Sequence, residues 1–155
     1  MSKPLDTTLS LETAKQIKSK AKDSFNNCYK AAKLIESAIY VQGFLVKAGK
    51  SGKPIEHSWI ELEESLVDPN LPHLNQTAEE LYYFPAQRLS LKQLVAAVEE
   101  AKEDYPDDPP LPVYGAAPYE YYGDVMLGGR EYQIAYEQAL AKCTELKRPN
   151  NNGAN

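Results

Sequence analysis

The chain has few of the residues that build disulfide scaffolds and metal centres. Its 155 residues include two cysteines and two histidines. Small secreted scaffolds carry more cysteines in a shorter chain, and here there is neither a CxxC pair nor a closely spaced histidine pair. The sequence permits a disulfide between Cys28 and Cys143, but in a reducing cytoplasm Cys28 is a free thiol. We therefore expect no structural metal and no cofactor.

Long apolar runs and basic blocks are absent as well. No stretch approaches the roughly 20 apolar residues that span a bilayer, and residues 1–6 lack the apolar core of a secretory signal. The net charge of −5 disfavours nucleic acid and anionic membranes as partners, because both reward clustered Lys and Arg. We expect a cytoplasmic protein that binds neither.

The order of predicted elements indicates an α+β fold in one domain, residues 1–147, followed by a disordered polar tail, residues 148–155. Apolar residues at helical spacing, or alternating ones, place the elements along the chain. Helices are predicted over 10–21 with Ser10 as N-cap, about 28–37, 90–101 with Ser90 as N-cap, and from just after Gly128 or Gly129 to about 146. Strands are predicted over 39–47, with a bulge or a close backbone approach at Gly43, over 55–63 and over 66–68. Residues 82–88 are predicted to be extended. The proline- and tyrosine-rich residues 105–122 are typical of an extended surface loop.

Three residues stand out as candidates for chemistry: Cys28, His57 and Asp68. We expect Cys28 at the start of a buried helix, where the helix dipole and a neighbouring imidazole both favour the thiolate. His57 and Asp68 fall on two strands joined by a short turn, so the carboxylate can orient the imidazole. Taken singly, each has an ordinary structural explanation, as a core cysteine, a hydrogen-bonded histidine and a turn residue.

Further residues have weaker claims to the same site. A developing oxyanion needs donors, for which the Cys28 backbone N–H is one candidate and the side-chain amide of Asn26 or Asn27 a weaker second. Trp59 either binds substrate or packs beside His57 and shields it from water. His73 is a possible alternative base, although a surface histidine is the simpler interpretation.

The local sequences around these residues resemble a known family. They are Asn27-Cys28-Tyr29-Lys30-Ala31-Ala32, Tyr40-Val41-Gln42-Gly43-Phe44, His57-Ser58-Trp59-Ile60 and Val67-Asp68-Pro69. This pattern is similar to the core of the transglutaminase-like branch of the papain-like cysteine protease superfamily. The resemblance implies a central helix that carries the Cys, packed on a small antiparallel sheet. It also implies Cys28 as nucleophile, His57 as general base and acid, and Asp68 as the orienting group.

Two main functions and one weaker one follow. The first is a cysteine acyl hydrolase or acyltransferase that forms a thioester with a peptide- or protein-derived acyl substrate. The second is an inactive protein-binding module that uses the cleft and the tyrosine-rich segment 114–122, because aromatic residues are enriched at interfaces. The weaker third is a redox-sensing thiol protein.

Overall fold

The computed structural model describes residues 3–49 and 52–147, so the predicted tail lies outside the described residues. The fold is α+β, as the sequence predicts. Its helices are α1 (Thr7–Ile17), α2 (Ser24–Leu34), α3 (Leu91–Asp104) and α4 (Arg130–Lys147), with two short 3₁₀ helices at Leu71–His73 and Ala78–Glu80. The strands are β1 (Ile39–Lys47), β2 (Ile55–Glu61), β3 (Leu66–Val67), β4 (Leu81–Ser90), β5 (Tyr119–Tyr122) and β6 (Val125–Gly128).

The main sheet has the antiparallel order β3-β2-β1-β4, and β5 and β6 form a separate hairpin. Gly43 lies opposite His57 in β1, where the register with β4 shifts by one residue. A Cβ at Gly43 would overlap the carbonyl oxygen of Phe84, so only glycine fits this bulge. The bulge that the sequence indicates at Gly43 is therefore confirmed.

Side chains that alternate along β1 and β2 divide the core between the two faces of the sheet. One face buries Tyr40 and Ile60 against α2 and α3, and Phe44 against α4 and the β5–β6 hairpin. The other face buries Val41 and Trp59 under a small apolar layer that includes Leu5, Leu66 and Tyr83. His57 belongs to this second face, because it shares the direction of Trp59 two residues on.

Several predicted bounds were wrong: α1 and α2 end earlier than predicted, at Ile17 and Leu34, and β2 ends at Glu61. Helix α1 begins at Thr7 with Asp6 as its N-cap, so Ser10 is a buried residue inside the helix and not its cap. Helix α2 begins at Ser24, one turn before the start predicted at Cys28, because the mostly polar residues 24–27 form its first turn. Residues 105–122 are not all loop, since they contain β5. Within the described ranges, no helix combines the length and apolarity needed to cross a membrane.

Candidate functional site

His57 and Asp68 form a buried hydrogen-bonded pair at the edge of the sheet. Strand β3 is only two residues long, so Asp68 lies just beyond it and not on the strand as predicted. The Nε2 atom of His57 lies 2.8 Å from Oδ2 of Asp68. His57 is 4% exposed and Asp68 is fully buried. The sequence prediction that these two side chains meet is confirmed.

Four further groups hold the Asp68 residue in place. The Tyr83 hydroxyl donates to Oδ2 at 2.7 Å, and the backbone N–H and Nδ2 of Asn70 donate to Oδ1 at 2.9 and 2.8 Å. The backbone N–H of Asp68 donates to the Ser10 hydroxyl at 2.9 Å. Burial alone would raise the pKa of Asp68, but the His57 charge and the hydrogen bonds from His57, Tyr83 and Asn70 outweigh it and lower the pKa. The carboxylate is therefore charged at neutral pH.

The other ring nitrogen of His57 faces Ser24, the first residue of α2. The Ser24 hydroxyl lies 3.3 Å from Nδ1. With the Nε2 proton on the Asp68 side, Nδ1 accepts from the Ser24 hydroxyl, whose single hydrogen can also point to the Ser58 carbonyl oxygen, equally distant at 3.3 Å. Ser24, His57 and Asp68 therefore form one hydrogen-bonded chain, and Ser24 is only partly buried.

The short length of β3 explains why Ser24 is at this position. Strand β3 pairs with β2 only at Ile60 and Glu61. The backbone N–H and C=O of Ser58, two residues earlier in β2, therefore have no partner in β3. The Ser58 N–H donates to the Ser24 hydroxyl at 2.9 Å, and Nδ2 of Asn70 donates to the Ser58 carbonyl oxygen at 3.1 Å. Buried backbone groups must find partners, and here the start of α2 and the turn after β3 supply them.

Cys28 lies one helical turn beyond Ser24, on the same side of α2. Its side chain is fully buried, and Nδ2 of Asn70 lies 3.7 Å from its sulfur. Burial raises the pKa of the Cys28 thiol well above its usual value, and the Asp68 carboxylate raises it further. No hydrogen bond joins Cys28 to His57 among the residues described. The thiol therefore lies in the core beside the buried pair. The sequence predicts that the Cys28 thiol faces the imidazole, but in the structure the Ser24 hydroxyl occupies that position.

The remaining predicted site residues have other partners. Asn27 is buried and its side-chain Nδ2 donates to the Lys20 carbonyl oxygen and to Oδ1 of Asn70, both at 2.8 Å, so both of its hydrogens are in use. Asn26 is exposed and donates to Asp23 at 2.9 Å. Trp59 is buried and stacks beside His57, with ring centroids 6.3 Å apart. These positions favour the shielding role of Trp59 over contact with a substrate.

His73, the alternative base, lies away from this network. Its Nε2 atom lies 3.0 Å from the Ser19 hydroxyl, so it is a partly buried residue with a local partner and not the free surface histidine expected. In the described part of the chain, no group of three or more His, Cys, Asp and Glu side chains is arranged to hold a metal ion.

Sequence reasoning missed Ser24, Asn70 and Tyr83. Ser24 had a usable signal: it precedes Cys28 by four residues, which is the spacing of one helix face, and it follows Asp23 at a break in the helical pattern. Asn70, two residues after Asp68, has the spacing at which an Asp side chain accepts a hydrogen bond from the backbone. Tyr83 had no local signal, because its contact depends on the pairing of β4 with β1.

No protein-family model matches the chain, and neither a curated protein nor a solved structure was found to be similar to it. The functional argument therefore depends on the geometry of Ser24, His57 and Asp68 alone.

Proposed function

We propose that the protein is an acyl hydrolase or acyltransferase whose nucleophile is the Ser24 hydroxyl, activated by His57 and Asp68, on a papain/transglutaminase-like core. The observation that supports this is the continuous chain from Ser24 Oγ to His57 Nδ1, 3.3 Å, and from His57 Nε2 to Asp68 Oδ2, 2.8 Å. A nucleophile, a base and a carboxylate that orients the base are the parts of a triad, which is recognised by geometry and not by chain order.

The chemical step follows from these contacts. Ser24 Oγ attacks the carbonyl carbon of an ester, thioester or amide, while its proton passes to Nδ1 of His57. The leaving group takes that proton from Nδ1 as its bond to the acyl carbon breaks. A water or an amine then attacks the acyl-serine, gives its proton to Nδ1, and releases the acid or the new amide together with the Ser24 hydroxyl.

Two N–H groups near the Ser24 oxygen affect this step. The Ser58 N–H at 2.9 Å and Nδ2 of Asn70 at 3.1 Å both donate to Oγ, and they stabilise the negative charge that develops as the proton leaves. Attack needs a free lone pair, so one of these contacts must open. Nδ2 of Asn70 is the one to release, because Asp68 and the Ser58 carbonyl oxygen are alternative acceptors for its hydrogens.

The start of α2 supplies the environment for an oxyanion. The first N–H groups of a helix have no partner within the helix and carry the positive end of its dipole. The side chain of the N-cap residue, Asp23, makes no capping hydrogen bond to them. The backbone N–H groups that follow Ser24 are therefore our candidates for the donors, in place of the amides of Asn26 and Asn27.

The cysteine version of the same reaction is the competing proposal. It is supported by the position of Cys28, which lies on the same side of α2 and within 3.7 Å of Nδ2 of Asn70. Burial and the Asp68 charge both oppose thiolate formation there, and His57 already faces Ser24. Cysteine catalysis would require α2 to shift by about a turn, so we place the serine version first.

Selective labelling separates the two nucleophiles. A fluorophosphonate probe attacks an activated serine, and iodoacetamide attacks a thiolate. We expect fluorophosphonate to label the wild type and Cys28→Ala, and to leave Ser24→Ala and His57→Ala unlabelled. In Ser24→Cys we expect a thiol that reacts with iodoacetamide below about pH 8 and loses that reactivity in the double variant with His57→Ala.

The opposite pattern decides for the cysteine. If Cys28→Ala abolishes labelling and ester hydrolysis while Ser24→Ala keeps both, the serine assignment is wrong. Trp59 fluorescence checks that each variant is folded, since this residue packs against His57.

A second function, an inactive binding module, is favoured by one specific observation. The base and the carboxylate are almost completely buried, and the Ser24 hydroxyl also bonds to Ser58, so the whole network serves to attach α2 to the edge of β2. A folded wild type that takes up neither probe and hydrolyses no activated ester supports this function.

A further inference from the structure

A groove of about 600 Å³ lies between the segment that follows α3 and the β5–β6 hairpin. We call it the tyrosine groove, after the four tyrosines among its lining residues. Its volume is within the range of natural ligand sites, about 300–1,000 Å³. The residues that carry the argument are four tyrosines and two aspartates: Tyr105, Tyr114, Tyr119, Tyr121, Asp108 and Asp124.

The aromatic rings are unusually open to solvent for a small protein. Tyr105 is 62% exposed and Tyr121 is 70% exposed, and Met126 beside them is also exposed. Exposed aromatic patches of this kind mark binding sites more often than ordinary surface.

The hairpin that carries two of these rings is firmly anchored. Tyr122 is buried and packs edge-on against Phe44, with ring centroids 5.5 Å apart, so Tyr119 and Tyr121 face the other way, toward the groove. The Glu56 carboxylate of β2 lies against the turn of the hairpin at Gly123 and Asp124. The groove wall is therefore preformed.

The charge of the groove has one sign. Asp108 and Asp124 line it, and of the described residues that line it none is a lysine or an arginine. Glu56 lies next to Asp124 and adds to the negative field. Aromatic faces and carboxylates both attract a cation, since the ring face is electron-rich and the carboxylate is charged. Nucleic acid is excluded by the same field.

We infer that the tyrosine groove binds an extended peptide segment through its lysine or arginine side chains, which lie on the tyrosine rings and pair with Asp108 and Asp124. This function is independent of the Ser24 site, whose residues do not line the groove. Proline-rich extended segments fit well, because aromatic grooves recognise them with little loss of conformational entropy.

Fluorescence anisotropy with three labelled peptides tests this inference. The first alternates arginine with proline, the second replaces each arginine by glutamine, and the third replaces each by glutamate. We expect binding of the arginine peptide alone, weakened by salt, because the attraction is largely electrostatic. Asp108→Asn and Tyr121→Ala should each raise Kd by about fivefold to tenfold, and Tyr121→Phe should keep the affinity because the ring remains.

Asp107→Asn is the matched control. Asp107 is exposed and adjacent to Asp108 but does not line the groove, so its loss removes the same charge from the same segment. We expect a smaller change in Kd than for Asp108→Asn. Equal effects of the two variants would show a diffuse charge attraction and overturn the inference. So would equal binding of the glutamate peptide, an unchanged Kd in Tyr121→Ala, or binding of a neutral oligosaccharide without any binding of the arginine peptide. Ser24→Ala should bind the peptide as the wild type does, which separates this test from that of the catalytic site.

Discussion

Replacing Asp68 with asparagine should reverse the hydrogen-bond directions in the buried network without changing its shape. Oδ1 of Asp68 accepts two N–H groups from Asn70, so the amide oxygen of the new asparagine must take that position. Its amino group then faces Nε2 of His57 and the Tyr83 hydroxyl, which both donate to the carboxylate in the wild type. The contacts survive only if His57 moves its proton to Nδ1 and Tyr83 turns its hydrogen away.

The cost of this reversal can be bounded from the structure. Hydrogen bonds to charged groups contribute about 1.5–3 kcal/mol each; all four to this carboxylate become neutral, and the two from His57 and Tyr83 must also reverse. We expect Asp68→Asn to lower the free energy of unfolding by about 2–3 kcal/mol at neutral pH. Asp68→Ala leaves His57, Tyr83 and the backbone N–H of Asn70 without this acceptor and should cost about 3–5 kcal/mol, as for one partner removed from a buried pair.

The effect of the substitution on stability should depend on pH in one direction. The pKa of Asp68 is lowered in the folded protein, so its contribution is fully present above the unfolded value of about 3.9 and is lost as the pH falls through the folded value. The gap between wild type and Asp68→Asn should therefore be constant from about pH 7 to about pH 5 and shrink below about pH 4.

Urea unfolding followed by tryptophan emission measures this gap. Trp59 is the single tryptophan and is buried beside His57, so its emission reports on this part of the fold. A gap that stays constant down to about pH 3, with both proteins still folding in two states, would refute our account of the Asp68 charge. Activity adds a second readout: with its proton on Nδ1, His57 cannot accept the proton of Ser24, and we expect a loss of about 10²–10⁴-fold.

Three further substitutions or modifications test the surroundings of the site. Gly43→Ala places a Cβ against the Phe84 carbonyl oxygen and should cost about 1–3 kcal/mol in urea unfolding; a neutral result would show that the bulge can relax. Ser10→Ala leaves the buried Asp68 N–H without its acceptor and should cost about 1–3 kcal/mol by the same measurement, whereas the exposed control Thr8→Ala should have little effect. Burial raises the pKa of the Cys28 thiol, so in Ser24→Ala this thiol should react with iodoacetamide only as fast as the protein opens. Added urea should therefore accelerate the reaction, and rapid labelling of the native protein would contradict the buried position of Cys28.

Local sequence patterns predict the elements of this fold well where a regular period meets a clear end signal. Strand β1 has the predicted bounds, because its β-branched and aromatic run is flanked by turn residues. Helix α3 begins after Ser90, whose side chain accepts from the Gln93 N–H as expected of a cap. The start of α2 was missed because three of residues 24–27 are polar although they are helical. Their polar side chains bond to the turn after β3 and to residues before the helix, which no local pattern reveals.

The site could be predicted in part, for a related reason. His57 and Asp68 are eleven residues apart in the chain, and a short turn between strands brings them together. The partner of the other imidazole nitrogen depends on how deep α2 lies against β2, which is a matter of tertiary packing. A difference of one helical turn in the start of α2 decides whether Ser24 or Cys28 faces His57. Tyr83 lies on β4, the strand at the opposite edge of the sheet, so sequence spacing carries no information about its contact with Asp68.

The buried pair itself is an argument for chemistry at this site. A buried carboxylate is costly to remove from water, and its hydrogen-bond partners must offset that cost. Here the pair requires Tyr83, Asn70 and Ser10 as further partners, so five polar side chains occupy space that an apolar core would fill at lower cost. The Ser58 N–H joins Ser24 to β2 directly, without the imidazole. The imidazole and carboxylate give the Ser24 hydroxyl an acceptor for its proton, which is the property that a nucleophile needs.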